Sequence, residues 1–217
     1  MALQFTLASN VGLLVATAPL LTAVIAHYFV RGERLKRGVV FGFLLAVLGV
    51  FLVMGNGRFV VKVNPKGDFL ALGAALLWAV YTILLKRVDS GYHPIFVVRK
   101  TFFYGLITML PLVMILPGSV KTVHSFGGPM IGNILFLGLA ASALCFVLWN
   151  RAIRTLGAVR VTNYIYLVPL ITMVTSVIVL HEPVTGFMVA GACLICGGVY
   201  LSEHELSSKS GQEIKAV

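Results

Sequence analysis

The chain has 217 residues, of which 59% are apolar and only 11% are charged, whereas soluble domains are roughly 45–50% apolar and about 25% charged. A mean hydropathy of +0.99, together with apolar residues gathered into long runs, excludes a soluble globular fold. The net charge of +10 is spread over several short loops and forms no single basic face, so we expect no nucleic-acid partner.

Seven apolar runs are long enough to cross a bilayer, because about 20 helical residues span a hydrocarbon core of about 30 Å. In chain order they are Val11–Val30, Gly38–Gly55, Phe69–Leu85, Thr101–Leu116, Met130–Trp149, Val161–Leu180 and Gly186–Ser202. The fourth is short, but Arg99 and Lys100 on its flank can extend toward the lipid headgroups. We predict an all-α integral membrane protein, a polytopic bundle of seven transmembrane helices.

Basic residues are distributed unequally between the two sides of this bundle. Of the 17 Lys and Arg residues, only Arg58, Lys62, Lys66 and Lys121 lie in loops on one side. Because short basic loops stay in the cytoplasm, we expect a cytoplasmic C-terminus and an N-terminus outside, in a bacterial inner membrane. Residues 203–217 form a polar tail that we expect to be cytoplasmic and disordered.

Part of the sequence repeats itself. Residues 2–53 align with residues 152–201 at an offset of 150, which falls to 149 after one deletion. The alignment places Pro19 on Pro169, Glu33 on Glu182, Gly42 on Gly191 and Gly49 on Gly198. Each copy therefore carries a helix with a mid-span proline, an acidic residue beyond its end, and a helix containing glycines.

The second copy belongs to a unit of five helices at residues 67–202. An odd helix number gives the two units opposite orientations in the membrane, and inverted repeats are typical of secondary transporters that hold substrate at the repeat interface. Residues 1–57 match only the C-terminal part of such a unit. We therefore expect seven helices of a ten-helix (5+5) inverted-repeat fold, truncated at its N-terminal side.

Several short segments occur in a characteristic order. They are Ala2-Leu3-x-Phe5-Thr6, Gly32-Glu33-Arg34-Leu35, Gly67–Leu72, Trp78-Ala79-x-Tyr81 and Leu148-Trp149-Asn150, together with the two proline helices. This order resembles the EamA family of the drug/metabolite transporter superfamily. The resemblance implies two inverted five-helix units and a secondary transporter, without ATP hydrolysis by the chain, that exports small metabolites or amphipathic drugs by alternating access. The alternative is a non-transporting membrane fragment or an assembly partner.

Two groups of residues are candidates for the wall of a substrate cavity. Pro19 and Pro169 lack an amide hydrogen, so the carbonyls of Val15 and Ile165 lose a helical donor and can face a cavity, unless the prolines serve only packing. The second group contains polar side chains in apolar spans, which need partners, and an interfacial aromatic belt is its alternative role. Its members are Trp78, Tyr81, Asn163, Tyr164 and Tyr166.

Other candidates are structural. We expect Glu33 and Glu182, at span ends, to cap helices or to pair with a neighbouring arginine rather than to couple protons. Small residues let helix backbones approach closely, within one bundle or in a homodimer, and the glycines that fit this role are Gly42, Gly49, Gly191 and Gly198. Neither an H-E-x-x-H sequence nor a phosphate loop occurs, so we expect no enzyme, no cofactor and no metal.

Overall fold

The computed structural model describes residues 5, 8–30, 35–55, 64–88, 91–115, 128–181 and 183–213. Every regular element in these ranges is helical, which confirms the predicted all-α class. The α-helices are α1 (Ala8–Val15), α2 (Ala18–Phe29), α3 (Arg37–Gly55), α4 (Pro65–Arg87), α5 (Pro94–Ile115), α6 (Gly128–Leu135), α7 (Cys145–Leu156), α8 (Ala158–Asn163), α9 (Val168–Leu180) and α10 (Gly186–Glu213). A π-helical segment, Phe136–Leu144, joins α6 to α7, and a 3-10 turn, Tyr164–Leu167, joins α8 to α9.

Six helical stretches in the described ranges are long and apolar enough to cross a membrane. They are Asn10–Phe29, Arg37–Gly55, Pro65–Arg87, Met130–Leu156, Ala158–Val179 and Gly186–Leu206, and they coincide with six of the seven predicted spans. The fourth predicted span lies on α5, a helix of 22 residues. Continuous helix also extends through Glu213, so the predicted disorder of the tail is wrong up to that residue.

The chain forms two compact units, whose bounds differ from those of the repeats. The first unit is made of Met1–Arg87 with Leu156–Val217, and the second unit is Val88–Thr155. In the first unit, α3 and α10 pack together in opposite directions: the start of α3 lies against the end of α10, with Lys36 Nζ 3.6 Å from Glu205 Oε2. Further along α3, Gly42 contacts Gly198, and then Gly49 contacts Gly191. These two helices are the equivalent glycine-bearing helices of the two repeat copies.

The four predicted glycines are all buried in this α3–α10 contact. A Cβ atom on Gly49 would lie 2.6 Å from the Gly191 carbonyl oxygen, and one on Gly191 would lie 2.7 Å from the Gly49 carbonyl oxygen. Such short distances leave room for no side chain. The glycine stripe therefore packs within one chain and is not a surface through which two chains associate.

Polar contacts gather at one end of the first unit. The Lys36 ammonium donates a hydrogen bond of 2.8 Å to the Glu205 carbonyl oxygen, and Arg160 forms an ion pair with Glu203. Arg87 donates to the Phe29 carbonyl oxygen at 2.6 Å. The charge distribution predicts the same side of the membrane for Lys36, Arg87 and Arg160.

The second unit contains α5, α6, the π-helical segment and α7. The rings of Phe102 and Phe146 lie 5.3 Å apart, and Arg154 donates a hydrogen bond to the Tyr92 carbonyl oxygen. Asn150 is buried, and its amide donates to the Phe146 carbonyl oxygen at 2.8 Å. Bonding within its own helix lets this polar side chain remain in an apolar span.

Candidate functional site

The first unit contains a cavity of about 510 Å³, a volume typical of small-molecule sites. Its walls are Gly12, Val15, Ala16, Val50, Val53, Met54, Ile165, Tyr166, Val168, Pro169, Thr172, Met173, Ser176 and Met188. The first six lie in residues 1–57, which contain the first repeat copy, and the others lie in residues 67–202, which contain the second. The cavity thus lies between the two copies.

The cavity lies away from the polar end of the unit. On α3 it is lined by Val50, Val53 and Met54, which are far from Lys36, and on α10 by Met188, which is far from Glu205. Because α3 and α10 are antiparallel, both sets of residues lie toward the same, opposite end. The ion-paired end and the cavity end are therefore distinct.

Both proline-containing spans are interrupted beside the cavity. α1 ends at Val15 and α2 begins at Ala18, so that Pro19 lies in the first turn of a new helix. In the second copy the 3-10 turn precedes Pro169, and the Val168 amide donates to the Ile165 carbonyl oxygen. A proline cannot donate to the carbonyl four residues before it, and this missing bond explains why the helix changes at equivalent places in the two copies.

The cavity wall is largely apolar, and none of its described residues is charged. Three thioethers, of Met54, Met173 and Met188, contribute to it, and such side chains adapt to ligands of different shapes. The Thr172 hydroxyl donates to the Val168 carbonyl oxygen of its own helix at 3.0 Å. Such a wall suits an uncharged or apolar group better than an isolated ion.

Tyr166 forms part of this wall, and its hydroxyl oxygen is buried. Its side chain is buried, and its ring centroid lies 5.8 Å from that of Phe43. Within the described residues the Tyr166 hydroxyl has no hydrogen-bond partner, and a buried polar group without one is costly.

Asn163 lies one helical turn before Tyr166 and is fully buried. Its amide donates to the Val199 carbonyl oxygen of α10 at 3.3 Å, whereas its Oδ1 has no partner in the described part of the chain. Asn163 therefore ties α8 to α10 but does not line the cavity.

The other predicted cavity residues lie apart from it. Pro19 is buried but is not part of the wall, and Tyr164 is 42% exposed. Trp78 and Tyr81 lie together on α4 with ring centroids 5.6 Å apart, and neither lines the cavity. Glu33 and Glu182 fall outside the described residues.

The sequence analysis missed Thr172 and Ser176. They follow Pro169 at spacings of three and seven residues, so all three lie on one face of α9. Because Pro169 had already been singled out, helical spacing alone could have identified both hydroxyl residues.

A helical membrane bundle with a cavity between two repeat copies is the architecture of a secondary transporter. The chain belongs to the EamA-like transporter family, whose sequence profile matches residues 1–55 and 65–203. It is therefore a membrane transporter by family and not an enzyme. In the described residues, no group of three His, Cys, Asp or Glu side chains is placed to hold a metal ion.

Individual relatives agree with this assignment, and a solved structure shares the fold. An uncharacterized transporter of Archaeoglobus fulgidus is 29% identical over 93% of this chain and 69% of its own length. A Salmonella typhimurium protein named "Probable amino-acid metabolite efflux pump" is 27% identical over 93% of this chain and 69% of its own length. A protein solved by crystallography has the same fold, with a TM-score of 0.73 and 21% identity, covering 95% of this chain and 71% of that one. The chain spans about two thirds of the length of the curated relatives it matches.

Proposed function

We propose that this protein takes part in the export of small metabolites or amphipathic drugs, with the cavity between the repeat copies forming part of the substrate path. The observation that carries the proposal is the position of the cavity. The cavity lies within membrane-spanning helices and is lined by both copies. Inverted-repeat transporters bind substrate at the interface between the copies.

Alternating access requires one end of the path to be closed while the other is open. With the C-terminus in the cytoplasm of a bacterial inner membrane, the ion pairs Lys36–Glu205 and Arg160–Glu203 lie at the cytoplasmic end. The cavity then belongs to the outer half of the membrane. We infer an outward-facing arrangement in which these ion pairs hold the cytoplasmic end together.

The substrate consistent with this wall has an uncharged, largely apolar part that fills the space between the methionines. The Tyr166 hydroxyl, which is buried in the structure, would bind one hydrogen-bonding group of that substrate after the side chain turns toward the cavity. The name of the Salmonella relative points to amino-acid metabolites, whose apolar side chains meet this description. We propose Trp78, Tyr81 and Tyr164 as contacts elsewhere along the path.

The test fills the cavity. Thr172 and Thr175 are on the same helix, and each donates its hydroxyl to the carbonyl four residues earlier, but only Thr172 lines the cavity. We expect Thr172→Phe to abolish most of the efflux of an amino acid or amphipathic dye from proteoliposomes, and Thr175→Phe to leave it unchanged. Equal flux through both variants would exclude the cavity from the path.

The rival function is that of a non-transporting membrane fragment or assembly partner. The same flux assay on this chain and on a version extended to the predicted ten helices separates the two. Flux by this chain alone supports transport, and flux only in the extended version would assign this chain a part in a larger transporter.

A further inference from the structure

Two cations lie on the exposed surface of the second unit. Arg99 and Lys100 are the sixth and seventh residues of α5, and both side chains are exposed. At about 1.5 Å per residue they lie roughly 8–9 Å into the helix. They are followed by exposed apolar residues on one face, Phe103, Leu106 and Leu110. The cations thus mark a boundary between a polar end and a lipid-facing surface.

Both cations form cation–π contacts with the same aromatic ring, that of Phe96. The Arg99 guanidinium lies 5.3 Å from the centroid of the Phe96 ring, and the Lys100 ammonium lies 5.7 Å from the same centroid. Phe96 is three and four residues before them, the two spacings at which helical side chains meet. Both charged groups are therefore drawn toward the start of α5, as expected for side chains that reach the headgroup region.

A small depression opens beside the two cations. It has a volume of about 240 Å³ and is lined by Arg99, Lys100 and Phe103. Its wall combines two positive charges with the edge of the apolar surface. This combination suits a molecule with an anionic head and an apolar body.

The protein supplies no described anion for these charges. The described part of the second unit contains no Asp or Glu, and the ion pairs found in the described residues, Lys36–Glu205 and Arg160–Glu203, belong to the first unit. Two neighbouring cations repel each other, and an anion that approaches them relieves this repulsion. Anionic phospholipids are the abundant source of such an anion.

We propose that Arg99 and Lys100 bind the headgroup phosphate of an anionic phospholipid whose acyl chain lies along Phe103, Leu106 and Leu110. The guanidinium supplies paired N–H donors to phosphate oxygens, and the ammonium adds a second charge. This site is separate from the cavity and does not depend on the transport function.

The test measures lipid retention by the full chain. Native mass spectrometry of the purified protein is carried out after addition of phosphatidylglycerol or phosphatidylcholine. We expect the double variant Arg99→Gln/Lys100→Gln to lower the apparent affinity for phosphatidylglycerol by roughly tenfold to thirtyfold and to leave that for phosphatidylcholine unchanged. Arg37→Gln/Lys66→Gln, which removes the same charge at two exposed positions of the first unit, should bind like the unmodified chain.

Two further arms distinguish loss of charge from loss of folding, and a lipid from free phosphate. The charge-preserving variant Arg99→Lys/Lys100→Arg should retain binding, because both positive charges remain at the site. An excess of inorganic phosphate should not displace phosphatidylglycerol. Displacement by phosphate alone, or equal loss of binding in the Arg37→Gln/Lys66→Gln control, would overturn the proposal.

Discussion

Gly42 and Gly198 contact each other so closely that a Cβ atom on Gly42 would lie 2.7 Å from the Gly198 carbonyl oxygen, and one on Gly198 would lie 2.5 Å from the Gly42 carbonyl oxygen. The obstructing atoms are backbone, which cannot turn aside as a side chain can. Lipid provides no hydrophobic drive for helix association, so membrane helices depend on such close packing.

Gly42→Ala is therefore expected to destabilise the protein by about 1–3 kcal/mol, the usual cost of overpacking. The control is Gly73→Ala on α4, where an added Cβ meets nothing within 4 Å and better helix propensity should stabilise by up to about 1 kcal/mol. Unfolding in mixed micelles, followed by circular dichroism, measures both changes. Equal free energies of unfolding for the two variants would contradict the close packing.

Tyr166→Phe should leave the free energy of unfolding unchanged or raise it by up to about 1 kcal/mol. The reason is that the removed hydroxyl has no partner among the described residues. The ring contact with Phe43 is preserved. Efflux should nevertheless fall if the hydroxyl binds substrate. Tyr200→Phe, at an exposed position of α10, should change neither quantity, and a loss of stability in Tyr166→Phe would indicate a structural role for the hydroxyl.

Pro169→Ala should convert the 3-10 turn into continuous α-helix, because the alanine amide can donate to the Ile165 carbonyl oxygen four residues earlier in place of the Val168 amide. We expect slower amide hydrogen exchange across Tyr164–Leu167 and reduced efflux. Pro111→Ala, inside α5 of the second unit, is the matched control and should keep full efflux. Normal efflux in both Pro169→Ala and Pro19→Ala would mean that neither interruption is needed for transport.

The Arg160–Glu203 pair is expected to contribute more than the Lys36–Glu205 pair. The side chains of Arg160 and Glu203 are 30% and 20% exposed and those of Lys36 and Glu205 are 31% and 36% exposed, so water screens the second pair more. Double-mutant cycles with glutamine should give coupling of about 1–3 kcal/mol for the first pair and below about 1 kcal/mol for the second. The reverse order would contradict this assignment.

The proposed orientation can be tested with single cysteines in a background from which Cys145, Cys193 and Cys196 have been removed. A membrane-impermeant maleimide added to intact cells should label Lys66→Cys and should label Arg151→Cys only after lysis. Both native side chains are exposed, so accessibility within the protein does not limit labelling. The opposite pattern would place the C-terminus outside.

The spans could be predicted from sequence because length and hydropathy are local properties. The repeat also identified the equivalent glycines, but their contact partners depend on the antiparallel packing of α3 and α10. Trp78 and Tyr81 show a further limit. Apolar residues cover both the lipid-facing and the packed sides of α4. Hydropathy therefore does not predict which side of the helix Trp78 and Tyr81 are on relative to the cavity.

The candidate site was predicted only in part. Pro169 could be predicted because a missing N–H has a direct structural effect. Its alignment with Pro19 supports the same prediction. The methionines of the wall could not be found in this way, since an apolar side chain in an apolar span carries no signal of the space it faces.

The reciprocal glycine contacts have the form of an isologous interface. Gly42 contacts Gly198, and their counterparts in the repeat, Gly191 and Gly49, contact each other in turn. Two identical subunits meet in this manner across a twofold axis. The α3–α10 contact thus has the symmetry of a twofold interface within one polypeptide, and the two copies would keep their complementary surfaces even if the peptide connection between them were cut.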